Sequence, residues 1–129
     1  MSEPFIVISS WRVKEGKLEE LKRFQRELTE PIQAKEPQLI AFNAFLNEDR
    51  TEMTSIQVYP NAASMDFHMQ VLKDYLGDAM SSVADFVEPK GIEYYGTPSE
   101  GLLESTSSRG GNLSTKPIHL GGFTRSTAG

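Results

Sequence analysis

PFIVISSWRVKEGKLEELKRF, residues 4–24, decides the fold, because its apolar period changes from two to about 3.6 within one short turn. Phe5, Val7, Ser9, Trp11 and Val13 alternate with Ile6, Ile8, Ser10 and Arg12, and the β-branched content predicts a strand over 4–13. Lys14-Glu15-Gly16 then turns the chain. Leu18, Leu21, Phe24, Leu28 and Ile32 follow at three- and four-residue steps, with Glu19/Arg23 and Arg23/Glu27 as i,i+4 pairs, which predicts an amphipathic helix. Pro31 is expected to kink it or to start a new turn, and Pro37 to end it.

The same reading continues down the chain. Residues 39–47, LIAFNAFLN, and 53–59, MTSIQVY, read as two strands joined by turn residues Glu48-Asp49-Arg50-Thr51. Asn61 is a candidate N-cap for a second helix, with Met65, Met69, Leu72 and Leu76 on one stripe and His68 beside it. Gly77 is expected to break that helix, Asp78 to cap a short third one through Phe86, and Ile92–Tyr95 to form a last strand after the turn Pro89-Lys90-Gly91. The order β-α-β-β-α-β describes an α+β, ferredoxin-like split β-α-β sandwich with helices on one sheet face. Strands 4–13 and 39–47 are apolar on both sides, so the bare face needs a cover, and a homodimer packed sheet to sheet would supply it.

Composition narrows the function classes. The 129 residues suit one domain. A formal charge of −5 argues against a nucleic-acid partner. The absence of cysteine excludes disulfides and thiolate chemistry, and two histidines, His68 and His119, are too few for a His-rich metal cage. The longest apolar run, Phe5–Ile8, is far too short to span a bilayer, and no basic-then-apolar leader opens the chain, so a cytoplasmic protein without membrane contact is expected. Domain 1–100 is expected to be the compact unit. Residues 101–129, rich in Gly, Ser and Thr, read as a flexible tail or docked arm. The tail holds three cations against one carboxylate, a balance of +2, which leaves −7 for residues 1–100. Its apolar stretch Ile118–Phe123 is expected to dock across a dimer.

Three passages resemble the antibiotic-biosynthesis-monooxygenase-like family of dimeric α/β barrels, over about residues 4–98. WRVKEGKLEELKRF is similar to the family's strand-to-helix opening with V-x-x-G-K-x-x-E-L, EPQLIAFNAF to its E-P-G-C-L-x-Y entry to strand two, and IQVYPNAASMDFHM to its E-x-Y-x-D-x-x-A-x-x-x-H passage. The resemblance implies a dimeric barrel and, among several chemistries, cofactor-independent oxygenation. It departs from the family where many members carry a second helix histidine, since Lys73-Asp74-Tyr75 stands there. Haem-degrading relatives place Asn and Trp where this chain has Ser9 and Tyr59, so haem oxidation is not expected.

Cofactor-free oxygenation needs a base in a dry pocket. His68 is the candidate base, because an imidazole titrates near neutral pH. Ser9, Asn43 and Tyr59 are candidates to position a phenolic oxygen, and Trp11, Phe42, Met65, Phe67 and Leu72 to wall the pocket. Plain core packing is the competing reading for the aromatics and methionines, and a histidine satisfied by a backbone carbonyl for His68. Glu19, Glu20, Glu27, Glu30 and Glu36 read as a solvated helix face. The expected function is a monooxygenase-like oxidoreductase acting, without cofactor or metal, on a small phenolic or quinol-type aromatic molecule. The alternative is a non-catalytic dimeric α/β-barrel protein that binds a small apolar ligand. An RNA-recognition domain shares the element order, but MTSIQVY lacks the basic-aromatic pattern such a surface needs.

Overall fold

A computed structural model describes residues 3–125. Strand β1 (Phe5–Val13) leads into helix α1 (Leu18–Lys35), followed by strands β2 (Ala41–Leu46) and β3 (Glu52–Tyr59). Helix α2 (Ala62–Ser81), strand β4 (Val87–Tyr95), helix α3 (Glu100–Arg109) and strand β5 (Asn112–Lys116) complete the order. The sheet runs β2-β3-β1-β4-β5, antiparallel except for the parallel β4–β5 pair. This is the ferredoxin-like α+β arrangement, extended by α3 and β5. No helix among the described residues is long and apolar enough to cross a membrane.

Register separates two faces. Phe5 pairs with Tyr59, Val7 with Gln57 and Ser9 with Ser55, and all three helices cover this side. The core beneath them forms two clusters. One gathers Leu21, Phe24, Leu28 and Ile32 of α1 with Met53, Leu72 and Val87; the other gathers Phe5, Val7, Tyr59, Met65, Tyr94 and Leu102. On the opposite face Ile6, Ile8, Ile56 and Val58 remain partly exposed, because no helix reaches them. The expectation of helices on one face and an open apolar face on the other therefore stands.

Several local details depart from the sequence reading. Helix α1 runs through Pro31 to Lys35, since buried Leu28 and Ile32 hold both flanks of the proline on the sheet; the Glu36 N–H donates to the Ile32 carbonyl at 3.0 Å and closes the last turn. Gly77 does not end α2. The backbone kinks at Leu76 (φ −127°, ψ 17°) and continues to Ser81, which lets Ala79 and Met80 stay against the core; the expected third helix is reduced to a 3₁₀ turn, Val83–Asp85. Pro89-Lys90-Gly91 is not a turn but part of β4, where the pairing with β1 shifts between Ser10 and Trp11. Proline is tolerated there because β5 pairs with β4 only from Gly91 onward, leaving Pro89 on a free edge.

The first part of residues 101–129, read from composition as a flexible tail or docked arm, forms α3 and β5. Ser99 caps the helix by accepting from the Leu102 N–H at 3.1 Å, Leu102 is buried, and the Thr106 hydroxyl meets the Tyr94 hydroxyl at 2.5 Å. One leucine and one threonine fix the helix, too short a stripe for periodicity to register. Gly96 makes the turn into it: its φ is +115°, and a Cβ there would lie 2.9 Å from Phe5.

Candidate active site

The C-terminal end of α1 and the inner side of α2 bring two titratable groups together. Glu36 lies four residues after Ile32, so it continues the apolar stripe of α1 inward rather than the polar face. It is 3% exposed, and its reading as a solvated side chain is corrected on that ground. Both carboxylate oxygens contact Nδ1 of His68, at 2.8 and 3.0 Å, and His68 is itself 3% exposed. Burying a carboxylate without a partner is costly, so the imidazole is the group that makes this burial tolerable. A carboxylate on Nδ1 holds the ring proton there and leaves the Nε2 lone pair free, the form a proton acceptor needs.

Aromatic rings enclose the pair. The Phe42 ring lies 6.0 Å and the Tyr59 ring 5.8 Å from that of His68, the latter edge-on. Burial, the Glu36 charge and then Tyr94 push the Tyr59 phenol well above its ordinary pKa, so it stays a protonated donor. That proton goes to Oε1 of Gln57 at 2.6 Å, and Gln57 Nε2 donates to Ser55 Oγ at 3.3 Å. Ser55 faces Ser9 across the β1–β3 ladder, and Ser9 Oγ accepts from Trp11 Nε1 at 3.3 Å. A polar seam thus runs along the covered face from the His68–Glu36 pair toward Trp11.

A cleft of about 410 Å³ opens between the end of α1 and β2, with Glu36 and Phe42 in its wall and Thr29, Gln33 and Asn43 as polar lining. The volume falls in the range of small-molecule sites. Among the described residues no three His, Asp or Glu side chains converge as a metal site would need.

The structure sorts the candidate residues. His68, Tyr59 and Phe42 meet at the dyad; Ser9 and Trp11 sit farther along the seam. Met65 packs beside Tyr59 in one cluster and Leu72 under α1 in the other. Asn43 pairs in register with Ile56, is exposed on the other sheet face and borders the cleft without joining Ser9 and Tyr59. Phe67 is 44% exposed on the outer side of α2, away from the wall it was expected to form, because it is one helical step off the buried His68–Leu72 row. Glu36 and Gln57 are the residues the sequence reading missed. The signal for Glu36 was its four-residue step from Ile32; for Gln57 it was alternation with Ser55 and Tyr59.

Comparison with known proteins gives a family. Residues 4–71 match the model of the family described as antibiotic biosynthesis monooxygenase. Among solved structures, the fold is similar to that of MupZ from Pseudomonas fluorescens, with a TM-score of 0.73 and 17% identity, covering 96% of each chain. It is similar also to a protein of Bacteroides thetaiotaomicron VPI-5482 provisionally named an antibiotic biosynthesis monooxygenase (TM-score 0.60, 18% identity, 71% of this chain and 85% of that one). A conserved protein from Methanosarcina mazei Go1 gives a TM-score of 0.61 at 19% identity, over 71% of this chain and 90% of that one. No curated protein matches the sequence. The likeness to MupZ extends over nearly the whole chain, that to the other two over 71% of it.

Proposed function

This chain belongs to the antibiotic biosynthesis monooxygenase family, and from that membership we propose that it is a cofactor-independent monooxygenase-like enzyme for a small phenolic or quinol-type compound. The observation that carries the reading is the Glu36 carboxylate on His68 Nδ1, which leaves Nε2 to serve as a base, with Glu36 itself in the wall of a cleft of suitable size. His68 takes the phenolic proton. The phenolate donates an electron to O2, and after radical recombination one oxygen atom becomes the new ring carbonyl. The other leaves as water with the two hydrogens lost from the ring C–H and the O–H, so that a phenol and O2 balance a quinone and water. Glu36 stabilises the imidazolium that forms, while the Phe42 and Tyr59 rings exclude water from it. The enzyme works as a homodimer joined through the open sheet face, whose Ile6, Ile8, Ile56 and Val58 no helix covers.

Oxygen uptake by metal-stripped protein with a panel of quinols and polyphenols tests this. His68→Ala is expected to lower turnover by about 10²-fold or more, and Glu36→Gln by less, since the amide still accepts from Nδ1. Full turnover in His68→Ala would remove the base. Ligand binding without uptake above autoxidation would replace the enzyme by a binding protein for a small apolar ligand.

A further inference from the structure

Residues 117–125 are exposed throughout, although Ile118, Leu120 and Phe123 are apolar. The Gly96 N–H donates to the Lys116 carbonyl at 3.0 Å, which ties the root of the segment to the end of β4. From there residues 118–124 turn back along the open sheet face and, with Pro4, Ile6, Ile8 and Tyr95, enclose a cavity of about 480 Å³. Yet Ile118 is 87%, Leu120 101% and Phe123 76% exposed. These three side chains border the cavity without being covered by it, so most of their apolar surface is left for a partner. They point to whatever stacks on that face.

We propose that residues 117–124 form an arm received by a second copy of this chain, with Ile118, Leu120 and Phe123 inserted against the partner's open face around Ile8, Ile56 and Val58. The inference rests on the sheet-to-sheet dimer above and adds the arm to it. Two observations favour a second copy over a foreign partner. The arm starts on the same face that the dimer is argued to cover, so two-fold symmetry brings each arm over the other sheet. Charge also matches. Residues 101–129 carry +2 against −7 for residues 1–100. On the open face Glu52 and Glu88 are paired with Lys90 and Arg12, while Glu93, which accepts from the Tyr95 hydroxyl at 2.8 Å, makes no ion pair among the described residues. Lys116 and Arg125 at the two ends of the arm are the cations that can meet it.

The test uses the full chain and its lack of cysteine. In sedimentation equilibrium, a variant with Ile118→Ser, Leu120→Ser and Phe123→Ser is expected to raise the dimer dissociation constant at least tenfold, with circular dichroism unchanged because all three side chains are exposed. Leu120→Cys protein mixed with Ile8→Cys, Ile56→Cys or Val58→Cys protein is expected to give a disulfide-linked pair with at least one of them. Ile56→Lys is the companion variant for the sheet face. If it dissociates the dimer while the arm variant does not, the sheet-to-sheet reading holds and the arm inference falls. A wild-type monomer overturns both. A disulfide that closes only within a chain carrying both cysteines, or a small-molecule adduct on the arm of a monomer in native mass spectrometry, overturns the arm inference as well.

Discussion

The two faces of one sheet differ in what they do with polar groups. The covered face buries Glu36, His68, Ser9, Ser55 and Tyr59 among two apolar clusters and gives each a partner. The open face does the reverse: it keeps its ion pairs at the exposed end, through Arg12–Glu88 and Lys90–Glu52, and leaves Ile6, Ile8, Ile56 and Val58 half-covered. Strand alternation makes this division possible, since adjacent residues of β1 serve opposite faces. A polar group held dry and aimed is suited to chemistry, and branched aliphatics left half-wet are suited to association.

Substitutions on the covered face should sharpen this contrast most. Phe5→Ala removes a ring packed on Tyr59 and Tyr94 and is expected to cost about 3–5 kcal/mol in urea unfolding. Ile8→Ala, one residue along β1 from the helix-covered Val7, should cost about 1 kcal/mol or less in the monomer. Equal losses at the two positions would break the comparison. Glu36→Ala leaves His68 Nδ1 buried without its partner and is expected to cost about 1–3 kcal/mol, again by urea titration.

Tyr59 provides a pH test. Burial raises its pKa above the unfolded value near 10, so at alkaline pH the folded chain holds a proton that the unfolded chain has released. The stability linked to this group is complete below about pH 10 and falls as pH rises beyond it. Tyr59→Phe should flatten that alkaline decline, measured as the midpoint of urea unfolding against pH. A small effect, about 1 kcal/mol, is expected at Ser99→Ala, from losing the cap of α3. It should loosen the C-terminal extension and leave the 5–95 sheet intact in hydrogen exchange.

How much of this was legible in the sequence follows from the same physics. The switch of period at Gly16 and the stripe Leu18–Ile32 specified β1 and α1, and Asn61 caps α2 as expected, accepting from the Ser64 N–H at 3.0 Å. Residues 100–116 were not legible, because a helix held by Leu102 and Thr106 has no repeating stripe and its serines resemble those of a linker. Gly77 misled because a glycine opposes a helix by only about 1 kcal/mol, less than the packing of Ala79 and Met80 returns. At the site, His68 stood out as the sole imidazole of residues 1–100. Its partner did not, because Glu36 shares its residue type with four carboxylates of the same stretch and differs from them only in standing four residues after Ile32, on the apolar stripe. Asn43 shows the opposite limit: strand parity puts it on the face of Ile56, but parity across a hairpin depends on a register that the turn sets.

The most direct measurement of the central claim is the nitrogen-15 NMR spectrum of the His68 ring at neutral pH, compared with that of Glu36→Gln. A proton on Nδ1, held by Glu36, and an unprotonated Nε2 available as base are the expected result. A proton on Nε2 with Nδ1 bare would contradict that assignment, since the free lone pair of His68 would then face Glu36 and not a phenolic proton.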